Sequence, residues 1–264
     1  MSLYYKERPE YLRQSLDSVF NQSVIPDEVV LVKDGPLTPE LDAIVEECKS
    51  NHNELKIVPL PVNGGLGNAL NEGLKHCSHE LVARMDTDDI CFSNRFEQQI
   101  KFMEEHPSVD IISSWLEEFE CDVSHIKSIK KVPASHKEIA QYIKSRNPLN
   151  HPAVMFRKSA VEKAGGYLHF PLFEDYYLWA RMMKDGATFA NIQEPLLHFR
   201  TSPDMFRRRG GWNYAKDCVK FQWMLHKLGI ISSFAAIKSS ILRGGVYMMP
   251  NAIRAIIYSK VLRN

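Results

Sequence analysis

Asp86-Thr87-Asp88-Asp89 leaves the apolar run Leu81 to Met85. Two carboxylates one residue apart in a turn can both reach one hard cation, and magnesium and manganese take oxygen ligands and commonly bridge a diphosphate. An ion held there would offset the charge that builds on a departing diphosphate. A helix cap or an Asx-turn accounts for the same tetrapeptide without a metal. Asp34 follows Val29 to Val32, where a carboxylate can accept a hydrogen bond from a base imide or a ribose hydroxyl, although Asp-Gly is also a common turn dipeptide. Asn63-Gly64-Gly65-Leu66-Gly67-Asn68 stands between an apolar run and an amphipathic stretch, the place where the backbone N–H groups of a helix start meet phosphate or ribose. The third glycine of a dinucleotide fingerprint would fall at Leu70, and no Gly-Lys-Ser/Thr occurs, so neither a Rossmann fingerprint nor a Walker loop is present. Glu174-Asp175 opens another amphipathic stretch. Acidic residues suit a helix start through the dipole, and a carboxylate also suits the general base that displacement by a hydroxyl requires. His151 and His198 read as satisfied loop or core histidines.

These residues need elements to position them. The spacing predicts a strand end at Met1 to Tyr4, a helix opened by Pro9 with Leu12, Leu16, Val19 and Phe20 on one face, and a buried strand at Val29 to Val32. A helix over about 39–49, a strand at 55–60, a helix over about 66–76 and a strand at 81–85 follow. This β-α alternation predicts a parallel sheet covered by helices. Ligands bind beyond the carboxyl ends of such strands, which places Asp34, Asn63 and Asp86 along one rim. Beyond residue 106 the pattern loosens: a Ser/Lys-rich stretch near 122–131, a helix near 135–145, a strand at Ala153 to Phe156, a short helix ended by Gly165-Gly166, a helix from Glu174, a hairpin-like pair of strands near 187–199, and helical stretches to the end.

The 264 residues carry a net charge of +1 that hides an asymmetry, because residues 200–264 hold 12 Lys/Arg against 2 Asp/Glu. A basic, apolar-rich tail on an acidic body suggests an anionic partner. In the tail, Phe234, Ile237, Ile241 and Met248 recur at helical spacing opposite Lys238 and Arg243, and Ile253, Ile256 and Ile257 oppose Arg254 and Lys260. Such helices can lie in a bilayer interface or pack on the enzyme or a dimer partner. The five cysteines are scattered without Cys-x-x-Cys spacing, as in reduced cytosolic proteins. The start has no apolar signal region, and no run of 18 uncharged apolar residues occurs. The expectation is a cytoplasmic protein, peripheral on the inner face of the plasma membrane if the tail docks there.

Taken together, the chain resembles the family-2 inverting glycosyltransferases of the GT-A fold, over nearly its whole length. Tyr4 to Leu12 resembles the family's first strand and helix, which puts Glu7 in a loop contacting the base; Lys33-Asp34-Gly35 resembles its base-binding Asp. Asn63 to Gly73, with Asn63, Gly65 and Asn68, resembles its Asn/Gly helix start. Arg84-Met85-Asp86-Thr87-Asp88-Asp89 resembles its Asp-x-Asp, implying Asp86 towards the ribose and Asp88 on the metal. Asn150 to Phe156 and Gly165-Gly166-Tyr167 resemble the acceptor-side segments before its Glu-Asp pair, here Glu174-Asp175, in which Asp175 is implied as the general base. Arg200 to Gly211 is similar to bacterial members that assemble exopolysaccharide, capsule or lipopolysaccharide repeat units. Met1 falls inside the first strand, where family members carry several residues ahead of it, so a short central strand is expected.

The resemblance implies a Rossmann-like α/β fold of mostly parallel sheet flanked by helices, with a transferase domain over 1–205 and a basic helical extension over 206–264. It implies a divalent cation (Mn2+ or Mg2+), a UDP-linked sugar donor, UDP being the commonest nucleotide among such proteins, and a glycan or polyprenyl-diphosphate-linked acceptor. A single displacement by the acceptor inverts the anomeric carbon without a covalent enzyme intermediate. A phosphatase of the haloacid dehalogenase type also uses strand-Asp-x-Asp, but Ile90 stands where its pattern wants Thr or Val. A basic membrane- or nucleic-acid-binding adaptor leaves Asp34, Asp86, Asp88 and Asp175 unexplained, and no nucleic-acid partner is expected.

Overall fold

The computed structural model describes residues 1–202 and 211–248. The expected domain boundary at 205/206, Arg207-Arg208-Arg209 and the stretch from Ile253 to Lys260 lie outside the described residues.

The first half follows its hydrophobic periodicity. Pro9 opens α1 (Pro9–Phe20), where its missing N–H costs no bond, and Leu12, Leu16, Val19 and Phe20 are buried. β2 (Val29–Lys33) is apolar on both faces because it lies between β1 (Ser2–Leu3) and β3 (Leu55–Pro59), parallel to both. Thr38 accepts from the Leu41 N–H to cap α2 (Pro39–Asn51). α3 (Leu66–His76) packs over β2, closely enough that a Cβ on Gly73 would sit 3.0 Å from Val32. β4 (Leu81–Ala83) then leads into the acidic turn.

The second half departs from the expected parallel arrangement. β4 heads a mixed sheet in the order β4, β8 (Met155–Arg157), β6 (Ile111–Phe119), β9 (Phe189–Arg200), β5 (Ile90–Cys91), with β7 (Ser128–Lys130) on β6. Within it only β6 and β9 run parallel. The stretch beyond 106 is not loose: β6 is nine residues long and at the sheet's centre. Its alternation is masked by Ser113 and Ser114, which are fully buried because their hydroxyls find backbone partners, Ser113 Oγ accepting from the Asn150 N–H at 2.9 Å and Ser114 Oγ donating to the Trp115 carbonyl at 2.9 Å. Nor is there a hairpin near 187–199. β9 is one strand of 12 residues, and Gln193-Glu194-Pro195, which reads as a turn, is absorbed where the register with β6 slips between Ser114, Trp115 and Leu116. Pro152 sits in a short 3-10 turn over His151–Ala153, so β8 starts two residues later than expected.

The remaining helices are α4 (Arg95–Glu105), α5 (His136–Tyr142), α6 (Lys158–Lys163), α7 (Glu174–Lys184), α8 (Trp212–Lys227) and α9 (Ser233–Met248). α8 and α9 are not a loose appendage: Phe221, Leu225 and Ala236 share one core cluster with Trp179 of α7. β1, as expected, is short. The Met1 amino group is buried and donates to the Val30 carbonyl at 2.8 Å, and its removal from water pushes its pKa down to about 6. A cavity of about 430 Å³ separates Val29 and Val30 of β2 from the unpaired edge of β4.

Gly35 sits at φ +86°, with a Cβ position 2.7 Å from the Asn63 backbone nitrogen, whereas Gly186 at φ +88° has open space. Gly186→Ala is expected to cost about 1 kcal/mol from backbone strain alone and Gly35→Ala about 2–4 kcal/mol because a backbone clash is added. Urea unfolding of both variants checks this; equal costs would mean that the Asn63 loop yields freely.

Candidate active site

The rim expected from the sequence is built around β1. The Asp34 N–H donates to the Leu3 carbonyl at 2.7 Å on one side, and the Thr87 hydroxyl reaches the Ser2 carbonyl at 3.4 Å on the other. Asp34 and the acidic turn therefore flank the same two-residue strand.

In that turn Asp86, Asp88 and Asp89 bring carboxylate oxygens within 4.8 Å of one another. Asp86 is gripped by Arg84, whose Nη1 donates at 2.6 Å while Nη2 donates to the other oxygen. Arg84 is buried, and its carbonyl accepts from the fully buried Arg95 at 2.8 Å. Burial, then the charges of Asp86 and Glu7, pushes the Asp88 carboxyl up to about 7. Asp89 is fully buried and raised well above the usual range by burial and by Asp88 and Asp86. One of its oxygens accepts from the Arg200 N–H at 2.8 Å; the other has no partner among the described residues. Arg200 also donates through Nε to the Asp88 carbonyl at 2.9 Å and lies 3.8 Å over the Tyr11 ring, so β9 and α1 together hold the turn. Glu7 closes the site: its carboxylate accepts from Thr87 Oγ1 and from the Arg8 N–H, both at 2.9 Å, and burial raises its pKa.

Asp34 does not point freely outward. Its two oxygens accept from the Gly64 and Gly65 N–H groups at 2.7 and 3.1 Å, and its carbonyl accepts from the Asn63 side chain at 3.1 Å. The carboxylate thus shapes the loop that starts α3. Gly65 precedes the helix at φ +83°, and a Cβ on Gly64 would meet the Asn68 amide at 2.5 Å. Asn63 and Asn68 are exposed beside a helix start with no side-chain cap, an arrangement suited to phosphate or ribose.

The Gly165-Gly166-Tyr167 segment is tied to α3 by a two-way clamp. Asn71 donates to the Tyr167 carbonyl and accepts from the Tyr167 N–H, both at 2.7 Å. The Tyr167 hydroxyl pairs with His151 Nε2 at 3.0 Å, and burial holds His151 neutral, so it is a satisfied core histidine as expected. His198 is likewise occupied, stacked on Phe92 and 3.1 Å from Glu117. Glu174 lies against the first turn of α3: a Cβ on Gly67 would be 3.7 Å from its Cγ, and burial raises its pKa. Asp175 accepts from the Asn147 side chain at 2.6 Å. Leu172, just before this pair, adopts φ +65°, a conformation strained for a branched side chain. Burial raises the pKa of the Tyr167 hydroxyl, and the charges of Arg84, Asp175 and Asp86 act on it more weakly.

Three carboxylates, one with a buried oxygen that has no partner among the described residues, match the oxygen-ligand preference of Mg2+ or Mn2+. Asp89 joins Asp86 and Asp88 as a candidate ligand or supporting carboxylate. Its signal in the sequence is adjacency, since it follows Asp88 directly in the tetrapeptide. Arg200, Asn71 and Asn147 were not singled out, because each acts from more than 25 residues away in sequence and carries no local pattern.

The profile of glycosyl transferase family 2 matches residues 3–165. An Escherichia coli relative, UDP-Gal:alpha-D-GlcNAc-diphosphoundecaprenol beta-1,3-galactosyltransferase, is 41% identical over 263 residues, 100% of this chain and 95% of the relative. The amylovoran biosynthesis glycosyltransferase AmsE of Erwinia amylovora is 42% identical with the same coverage. Among solved structures, S. aureus TarS 1–349 superposes with a TM-score of 0.68 at 18% identity over 99% of this chain and 74% of that one. The mannosyltransferase PcManGT from Pyrobaculum calidifontis, in complex with GDP-Man and Mn2+, gives 0.62 at 15% identity over 99% and 79%. The GT-A fold is thereby shown, and the chain belongs to glycosyl transferase family 2.

Proposed function

We propose that the enzyme transfers a sugar from a UDP-linked donor to a hydroxyl of a polyprenyl-diphosphate-linked glycan, with a divalent cation and inversion at the anomeric carbon. Residues 1–205 form the transferase domain, and 206–264 the helical extension. The observation that carries the metal-dependent reading is the cluster of three carboxylates in the turn after β4. The donor and acceptor classes rest on the full-length relative that uses UDP-Gal and a diphosphoundecaprenol-linked GlcNAc.

In this reading Glu7 and Asp34 line the base pocket, Asp34 both through its own oxygens and by fixing Asn63, Gly64 and Gly65. Asn68 and the free N–H groups of α3 meet ribose or phosphate. Asp86, held by Arg84, takes a ribose hydroxyl, and Asp88, backed by Asp89, is the metal ligand. Bound there, the cation would supply charge neutralisation to the departing diphosphate. Glu174, against Gly67, faces the donor sugar, and Asp175 accepts the proton of the attacking hydroxyl while Asn147 holds one of its oxygens. An α-linked donor then gives a β product.

Isothermal calorimetry with UDP and Mn2+ tests the donor half: Asp88→Asn is expected to lose metal-dependent binding at least tenfold, and binding unchanged by that substitution or by chelation would sink the metal assignment. Asp175→Asn is expected to keep UDP binding and lose transfer by roughly 10²–10⁴; a variant that transfers at the wild-type rate would remove Asp175 as the base.

The Asp88 carboxyl, with its pKa raised from 3.8 to about 7, gives a pH dependence of definite sign. Between those values the folded chain keeps a proton that the unfolded chain has lost, so this group's contribution to the stability of the metal-free protein falls as pH rises through the window. A cation competes with that proton, so the rise in melting temperature on adding Mn2+ should be larger at pH 8 than at pH 6. A Mn2+ effect that is flat with pH, or present in Asp88→Asn, would exclude proton competition at this carboxyl.

A further inference from the structure

The described part of the C-terminal extension carries a surface that the transfer reaction leaves unused. α8 buries Ala215, Cys218, Phe221, Gln222 and Leu225. On its opposite side it exposes Trp212, Lys216, Lys220, Trp223 and Lys227, a stripe with steps of four, four, three and four residues. α9 buries Ala236 and Tyr247 and exposes Phe234, Ile237, Lys238, Ile241 and Leu242. Phe234 is 77% exposed, Ile241 69% and Trp212 67%, more bare aromatic and branched surface than isolated surface residues explain. The helices are antiparallel neighbours, with Tyr214 packed on Tyr247 and the Gly211 N–H donating to the Tyr247 carbonyl at 3.1 Å. Both pack on the cluster around Trp179, so the opposite sides form the outer face of one two-helix layer.

Chemistry selects the occupant. Residues 211–248 contain five Lys/Arg and one acidic residue, Asp217, which bonds to Lys220 at 3.2 Å. A second copy of this face would need carboxylates that the face does not offer. Lysines interleaved with Trp, Phe and Ile are what an in-plane helix presents to anionic headgroups and the acyl chains beneath them. No helix among the described residues is long and apolar enough to cross a membrane.

We infer that the outer face of α8 and α9 docks on the surface of an anionic lipid bilayer, inserting Trp212, Trp223, Phe234 and Ile241 and pairing Lys216, Lys220, Lys227 and Lys238 with lipid phosphates. The inference deepens the proposed function and rests on it for its purpose, since a polyprenyl-linked acceptor is held in such a bilayer.

Flotation of the full chain with phosphatidylglycerol/phosphatidylcholine vesicles tests it. Wild type is expected to float with these and at least tenfold less with phosphatidylcholine alone. Lys216→Gln/Lys220→Gln/Lys227→Gln should lose about tenfold or more on the anionic vesicles, and Phe234→Ser/Ile241→Ser should lose binding to both kinds. UDP binding, unchanged in both variants, shows that they are folded. Failure of wild type to float, or flotation insensitive to both variants, overturns the inference. So does a dimer in solution that Phe234→Ser/Ile241→Ser converts to monomer without altering flotation, which makes the face a self-association surface. Wild type that floats as described but binds no UDP with Mn2+ upholds the docking face and overturns the UDP-sugar reading instead.

Discussion

Three carboxylates within 4.8 Å, one of them fully buried, repel one another in a medium that screens poorly, and the centre of this fold is organised to hold them. Arg84 neutralises Asp86, and Arg95 of α4 holds the Arg84 backbone through its carbonyl. Arg200 contributes differently, giving an N–H to Asp89 and its guanidinium to the Asp88 carbonyl. The turn is thus pinned from β4, α4 and β9. Burial first, and then the neighbouring carboxylates, leave Asp88 and Asp89 with raised pKa values despite these partners. In the proposed reading a cation from outside would offset the remaining repulsion.

The same economy links the two halves of the rim. Asp34 shapes the start of α3, and one turn further along Asn71 clamps the backbone of Tyr167. Tyr167 in turn holds His151, and Arg181 of α7 donates to the carbonyl of Gly166 at 2.6 Å. Gly166 must be glycine here: at φ +65° its Cβ position lies 2.6 Å from the Asn71 oxygen. α3 and the helix that begins with Glu174 and Asp175 are therefore joined by a short chain of hydrogen bonds rather than by packing alone. Strain at Leu172 sits beside that junction, where several contacts hold the segment and can offset it.

What could be read from the sequence was what is local. α1, β2 and α3 appear where periodicity, Pro9 and the Gly64-Gly65 pair place them, and Asp34, Asn63 and Asp86 share a rim because each follows a strand. The second sheet was hidden by polar residues inside strands: Ser113 and Ser114 in β6, and Gln193-Glu194-Pro195 in β9, tolerated through hydroxyl bonds and a register slip that leave no periodic trace. Arg200 and Asn147 were illegible for a different reason. Each acts on a residue 112 or 28 positions away, so its role exists only once the chain has folded.

The C-terminal helices complete this picture mechanically. Phe221 of α8 stacks on Phe173 at 4.8 Å and meets Tyr176 at 4.6 Å, the residues on either side of Glu174 and Asp175. Tyr176 donates to the Ile143 carbonyl at 2.5 Å, and Arg243 of α9 reaches the Ser145 carbonyl, so both helices brace the segment that carries Asn147. A surface on the outside of α8 and α9 is then one helix diameter from the proposed base. Packed aromatic rings couple this layer to the start of α7, so a surface docked on α8 and α9 would be oriented relative to Asp175 through that packing.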